Sequence, residues 1–167
     1  GMPNRGFLSA LNSNRGFADF LKDGAFEARS SIPTHSSAMD VGNPSNLERI
    51  RWLYTNDLSE LRHDVPACSV SDEDTRSFIE RVHARTGYVL DPHTSVGFLA
   101  HSARPAPPDM PSVVLATAHP AKFPELVEEA IGRKLPLPDG IAAVMDAEEH
   151  MEEISAELAA LRGKMDA

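Results

Sequence analysis

The stretch from Val113 to Ile131, VVLATAHPAKFPELVEEAI, constrains this chain more than any other. Val113, Val114, Leu115 and Ala116 form an apolar run without polar alternation, the pattern of a strand buried on both faces. Phe123, Leu126, Val127, Ala130 and Ile131 then recur at helical spacing, and Gly132 stands where a helix stop is expected. Between them lies the polar turn Thr117 to Lys122, at the carboxyl edge of a strand, where open α/β sheets bind ligands. A second unit of the same kind precedes it. Tyr88, Val89 and Leu90 predict a short strand, Asp91 can cap, Pro92 suits the first helical position, and Thr94 to about Ala103 is apolar enough for a buried helix. The proline-rich residues 104–111 connect the two units. Strand 88–90, helix 92–103 and strand 113–116 together predict a βαβ unit with parallel strands and a right-handed crossover. With neighbouring strands about 4.8 Å apart, Asp91, His93 and Thr94 would lie near Thr117 and His119.

The remaining chain supplies helices around this unit. Phe7 to Leu11 is a weak strand candidate. Any of Asn12, Ser13 and Asn14 could cap a short helix carrying Phe17, Phe20 and Leu21, which Gly24 would end. Residues 28–46 are rich in hydroxyl, amide, proline and glycine residues and predict a long loop. Ser45 with Glu48 has capping-box spacing and opens a helix expected to reach about Leu61. Ser71 with Asp74 repeats the signal before Phe78, Ile79 and Val82. At the end of the chain, Val144, Ala147, Met151, Ile154, Leu158 and Leu161 predict a helix over about 141–162, packed on its own domain rather than dimerising. The expectation is one α/β domain over residues 2–167, with a small, mostly parallel sheet of about three strands flanked by helices. Gly1, ahead of Met2, reads as a tag remnant.

Composition narrows the function classes. The net charge of -9 and the lack of a basic cluster argue against nucleic acid and anionic membranes as partners. A single cysteine, Cys68, permits neither an internal disulfide nor a CxxC site and fits a reducing compartment. Without a spanning apolar run or a signal-peptide layout, the chain reads as cytoplasmic. His93 and His119 could act as acid–base groups or order their turns through their ring nitrogens. Neither the spacing of these histidines nor Asp91 makes a recognisable zinc motif, so no metal is expected. Lys122 could meet a phosphate near a helix start, and Thr117 could cap the helix that follows it.

The run Thr117-Ala118-His119-Pro120-Ala121-Lys122-Phe123 resembles a signature near the carboxyl end of the threonine synthase family, pyridoxal-phosphate enzymes of the tryptophan-synthase-β-like fold. Further similarities follow in the family's order. They are Asn12-Ser13-Asn14, Ser37-Ala38-Met39-Asp40 followed by Pro44-Ser45-Asn46-Leu47-Glu48-Arg49, and Leu90-Asp91-Pro92-His93-Thr94-Ser95-Val96-Gly97. The resemblance covers the C-terminal part of such an enzyme. The family's S-F-K-D-like segment, whose lysine holds the cofactor covalently, and its glycine- and asparagine-rich phosphate cradle have no counterpart here. Lys22, Lys122, Lys134 and Lys164 are the only lysines, and none has that context.

The resemblance implies descent from an enzyme that converts O-phosphohomoserine to threonine and phosphate, and a chain that is not catalytic alone. It also implies cofactor-facing residues Thr117, Asp91, His93, Thr94 and His119, with Thr117 matched to the pyridine nitrogen. Asp40, Ser45, Asn46 and Arg49 would lie near the substrate, Arg49 as a phosphate contact. Pyridoxal phosphate is the implied cofactor, not held covalently by this chain alone. The expected partners are a second copy or a separate N-terminal threonine-synthase-like chain, covering an apolar sheet edge. Two other functions remain open: half of a split enzyme, and a non-catalytic ligand-sensing or interaction module.

Overall fold

The computed structural model describes residues 5–165. They form two compact units, divided between Pro136 and Leu137. The first contains a two-stranded parallel sheet, β1 (Ser9–Leu11) beside β2 (Ala67–Ser69), with Ser9 opposite Ala67 and Leu11 opposite Ser69. Between these strands the chain forms α1 (Gly16–Asp23), a 3-10 turn (Ser37–Met39), α2 (Leu47–Leu53) and α3 (Leu58–Asp64). After β2 come α4 (Asp72–Thr86), α5 (Pro92–Ala103), a second 3-10 turn (Pro120–Lys122) and α6 (Pro124–Ile131). Helix α5 packs on both strands and on α4, which also packs on α6.

Two apolar clusters hold this unit together. Phe20, Leu21, Leu47 and Leu61 join α1, α2 and α3. Ile79, Leu90, Val127 and Ala130 join α4, α6 and the approach to α5. Ile79 and Val127 are fully buried, and burying side chains of this size contributes about 1.5–3 kcal/mol each.

The expected parallel α/β architecture is present, but other segments build it. The crossover unit runs from β1 to β2, whereas residues 88–90 and 113–116 are not strands. Leu90 is drawn into the α4/α6 cluster, and Tyr88 donates its N–H to Thr86 Oγ1 at 3.1 Å rather than to a neighbouring strand. Residues 112–117 make no backbone hydrogen bond within the described residues, so no ladder defines them as a strand. Val113 and Leu115 are 85% and 75% exposed, whereas the apolar run predicts burial on both faces.

Local signals account for most helix ends. Gly24, at φ 81°, ends α1 in the left-handed conformation that glycine adopts without steric cost. Ser71 Oγ accepts from Asp74 N at 3.1 Å and donates to Asp74 Oδ2 at 2.6 Å, as the capping signal requires. The signal at Ser45 is not used. Leu47 N donates to the Pro44 carbonyl at 3.3 Å, and α2 starts after Asn46 without a side-chain cap. That helix also stops at Leu53, short of the expected Leu61. Thr55 and Asn56 take φ values of 48° and 62°, and Asp57 then caps α3 by accepting from Ser59 N and Glu60 N at 2.9 and 3.0 Å.

In the second unit, the helix expected over 141–162 is present only as α7 (Asp139–Ala142) and α8 (Leu158–Met165). Its intended seam is exposed, Met151 at 87% and Ile154 at 44%. A short helix without a packed apolar face is marginal in water, and the acidic run through Glu148, Glu149, Glu152 and Glu153 adds like-charge repulsion. No described helix is long and apolar enough to cross a membrane.

Candidate functional site

A buried polar network stands at the start of α5. Asp91 is 3% exposed and caps the helix: its Oδ1 accepts from His93 N at 2.9 Å and from Thr94 N at 3.3 Å. The same oxygen lies 3.1 Å from His93 Nδ1, and Oδ2 accepts from the Thr94 hydroxyl. Ser95 Oγ donates to the Asp91 carbonyl at 2.9 Å. The enclosed carboxylate thus meets backbone, hydroxyl and imidazole donors, which is how a buried charge is accommodated.

His93 is the joint between segments. Its Nε2 accepts from Ala38 N, in the first 3-10 turn, at 3.2 Å. An N–H donating to Nε2 requires a lone pair there, so the ring is neutral with its proton on Nδ1, directed at Asp91. The ring centroid stands 4.8 Å from that of Phe123. This contact brings the turn at 91–94 against the end of the Thr117 to Phe123 run, although neither is joined to a strand. Val114 reaches the same helix: a Cβ on Gly97 would come within 2.9 Å of Val114 Cγ1.

Thr117 and His119 are exposed. His119 Nδ1 accepts from Ala121 N at 3.1 Å and caps the second 3-10 turn, so Thr117 is not the cap. Its hydroxyl makes no hydrogen bond among the described residues, and no hydrogen bond joins Thr117 or His119 to Asp91, His93 or Thr94. Asp91, His93 and Thr94 are consumed by internal bonds. The open chemistry of this surface is therefore the Thr117 hydroxyl, His119 Nε2 and the exposed Lys122. No described group of three or more His, Cys, Asp or Glu could hold a metal ion.

The residues expected near the substrate divide into two groups. Asp40 closes a polar cluster in which Oδ1 lies 2.8 Å from Asn12 Nδ2, 3.0 Å from Asn14 Nδ2 and 2.6 Å from Thr34 Oγ1. Its Oδ2 accepts from Thr34 N at 2.9 Å. Asn12 and Ser36 in this cluster are both 1% exposed. Asp40 directly follows the turn that holds Ala38 against His93. Ser45, Asn46 and Arg49 instead lie exposed around the start of α2, and none of their side chains makes a hydrogen bond or ion pair among the described residues. Sequence reasoning did not anticipate Asn12, Asn14, Thr34 and Ser36 as a cluster. The signal available was the pair of amides directly after a strand, residues that hydrogen-bond neighbouring backbone when they leave regular structure.

The clefts lie elsewhere. One of about 210 Å³ is lined by Phe20, Arg51, Tyr54, Asn56, Asp57 and Leu61, with neither Asp91 nor Thr117 in its lining. Beside it, Tyr54 has its pKa raised, first by desolvation and then by the Asp64 carboxylate 3.4 Å from its hydroxyl.

Known proteins resemble this chain in sequence and fold. A family model described as threonine synthase, C-terminal, matches residues 94–164. Threonine synthase from Escherichia coli K12 is 33% identical over 165 residues, covering 99% of this chain and 38% of that protein. The Serratia marcescens threonine synthase is 34% identical over 142 residues, covering 85% of this chain and 32% of that protein. The crystal structure of the Escherichia coli threonine synthase superposes with a TM-score of 0.81 at 33% identity, over 99% of this chain and 38% of that one. PLP-bound threonine synthase from Brucella melitensis also gives 0.81, at 30% identity, over 98% and 40% of the two chains. The chain thus spans well under half the length of the relatives it matches. By sequence and by fold, it matches part of the threonine synthases, with residues 94–164 fitting the model of their C-terminal region.

Proposed function

We propose that this chain contributes one wall of a pyridoxal-phosphate site in a threonine-synthase-like enzyme that converts O-phosphohomoserine to threonine and phosphate, and that it does not catalyse the reaction alone. The observation that carries this reading is the exposed polar turn Thr117 to Lys122, lodged against the rigid cap of α5 through the His93–Phe123 contact. The donor set suits part of such a group. The free Thr117 hydroxyl can meet a neutral ring nitrogen, and His119 Nε2 can meet an anionic edge. Asp91, His93 and Thr94 would support the wall rather than touch the cofactor, because their polar atoms are already satisfied. The cofactor, when bound, supplies the electron sink for carbanion chemistry. This chain's residues would orient one face of it, and Asp40 would hold the adjoining loop in place.

The covalent lysine would come from outside this chain. Lys122 is exposed, Lys134 pairs with Glu128 at 2.5 Å, and Lys164 pairs with Glu152 at 2.6 Å. None stands in an enclosed site that would orient it on a cofactor. The test is complementation with the portion of the Escherichia coli threonine synthase outside the match. Phosphate release from O-phosphohomoserine should be absent for this chain alone, appear on mixing, and fall when Thr117→Val is used. Release by this chain alone, or a folded complex without release, would overturn the proposal.

A further inference from the structure

The cleft of about 210 Å³ at α1, α2 and α3 joins an apolar floor to a charged rim. Phe20 and Leu61 in its floor are 6% and 2% exposed, and Leu58 beside them is half-buried. Arg51, near the end of α2, and Asp57, just before α3, are exposed and line the same opening. Neither makes an ion pair among the described residues. Arg51 Nε donates to Asn56 Oδ1 at 3.2 Å, which leaves both Nη groups of Arg51 and the Nδ2 group of Asn56 to donate elsewhere. Asp57 Oδ1 accepts from Ser59 N and Glu60 N, while Oδ2 has no donor among the described residues. The backbone between the two charges is strained. Thr55 and Asn56 stand at φ 48° and 62°, a region uncommon for residues other than glycine and more so for a β-branched one. Asn56 N donates to the Arg51 carbonyl at 2.8 Å and Asp57 N to the Tyr54 carbonyl at 2.7 Å, which holds the turn. Backbone kept in such conformations concentrates at ligand clamps.

We infer that this cleft binds a free α-amino acid with an apolar side chain, its carboxylate on Arg51 and Asn56, its ammonium on Asp57, and its side chain on the floor of Phe20, Leu58 and Leu61. Size sets the upper limit. Drug-sized ligands occupy sites of about 300–1,000 Å³, so this smaller cleft suits a single amino acid and not a nucleotide. Charge sets the class. A guanidinium offers a carboxylate parallel N–H donors, and a carboxylate oxygen without a donor accepts from an ammonium. A zwitterion satisfies both rim charges at once, whereas a simple anion would face Asp57 and a simple cation would face Arg51. The floor favours an aliphatic side chain, because apolar surface leaves water on both partners. The Tyr54 hydroxyl is engaged by Asp64 at 3.4 Å, so Tyr54 contributes its ring and not a further polar partner. The inference does not depend on the function proposed for the Thr117 wall, since Thr117 is absent from this lining.

The experiment is titration of the full chain with L-leucine, followed by amide-resolved NMR. Saturable shifts should appear at Gly24 and at residues 54–58, with a dissociation constant in the millimolar range expected for so small a ligand at an open rim. N-acetylleucine lacks the ammonium and isoamylamine lacks the carboxylate, and each should bind about fivefold more weakly, the contribution of one ion pair at an exposed site. L-aspartate, which would set a charge on the apolar floor, should not saturate. Arg51→Met keeps the stem and removes the guanidinium, and Asp57→Asn keeps a capping side chain and removes the charge. Each should weaken leucine by about fivefold, whereas Arg85→Met, on α4, should leave it unchanged. Absence of saturation overturns the inference, as do shifts confined to other parts of the chain. Equal binding of leucine and either analogue, saturation by aspartate, or unchanged affinity in a folded Arg51 or Asp57 variant also overturns it. The analogues decide the matter on the unaltered protein if a variant fails to fold.

Discussion

Replacing Asp91 by alanine isolates how much the cap of α5 contributes. The change removes the acceptor of His93 N, Thr94 N and the Thr94 hydroxyl, and the partner of His93 Nδ1. A helix cap alone is worth about 1 kcal/mol. Here the donors are enclosed, with Asp91, His93 and Thr94 at 3%, 7% and 3% exposure, and each buried donor left unpaired costs about 1–3 kcal/mol. The Thr94 hydroxyl can rotate to another acceptor and some water will enter, so the sum is about 3–4 kcal/mol rather than the full total. At about 2–4 °C per kcal/mol for a chain of this size, the midpoint of thermal unfolding should fall by about 6–16 °C. Asp57→Ala provides the control. That residue also caps through two backbone N–H groups, but at an exposed site where water replaces it, so its loss should be about 1 kcal/mol. Differential scanning fluorimetry or circular dichroism measures both. Equal losses would refute the reasoning, because they would mean that enclosure adds nothing to the Asp91 cap.

Asn12→Ala should cost about 2 kcal/mol and speed amide exchange at Thr34 and Met39, because Asp40 loses a donor inside an enclosed cluster. Unchanged exchange there would show that Asn12 does not hold the loop. Gly42→Ala should destabilise the protein by about 1–3 kcal/mol, measured by urea denaturation, since a Cβ there would stand 1.9 Å from the Arg29 carbonyl oxygen and backbone must move. Glu128 has its pKa lowered from 4.5, first by the Lys134 hydrogen bond and then by Leu135 N. A depressed carboxyl pKa stabilises the fold above the unfolded value, so this contribution should be present near neutrality and vanish as pH falls below about 4.5 through the folded value. Glu128→Gln should remove that slope from a thermal-unfolding series run between about pH 6 and pH 3.

Much of the fold was legible where the controlling interaction is local. Ser71 with Asp74, Asp91 before Pro92, and Gly24 and Gly132 as stops all act within one helical turn, and each appears where its residue type places it. Ser45 had the same spacing as Ser71 but lost its place to the Pro44 carbonyl, a competition that spacing does not encode. The strand expectations at 88–90 and 113–116 read burial from hydrophobicity, whereas a strand is defined by a neighbour, and none of the described residues provides one. At the candidate site, the meeting of the 91–94 and 117–123 segments was foreseen through strands and is achieved through His93 and Phe123. The enclosure of Asp40 was not foreseen. It depends on Asn12 and Asn14, 28 and 26 residues away, and no periodicity reports contacts at that separation.

The imidazole of His93 can also be seen as a reversible cross-link in a polymer. Its bond to Ala38 spans 55 residues, whereas its contact with Asp91 spans two. The short link can form as soon as α5 begins to wind. The long one must overcome the entropy of closing a large loop, a cost that rises with the logarithm of its length. The 3-10 turn at 37–39 should therefore dock after α5 and detach before it, and in a graded denaturant series its amides should lose protection first. A ring held this way reports the arrival of distant chain and serves as the last fastening of the loop that carries Asp40.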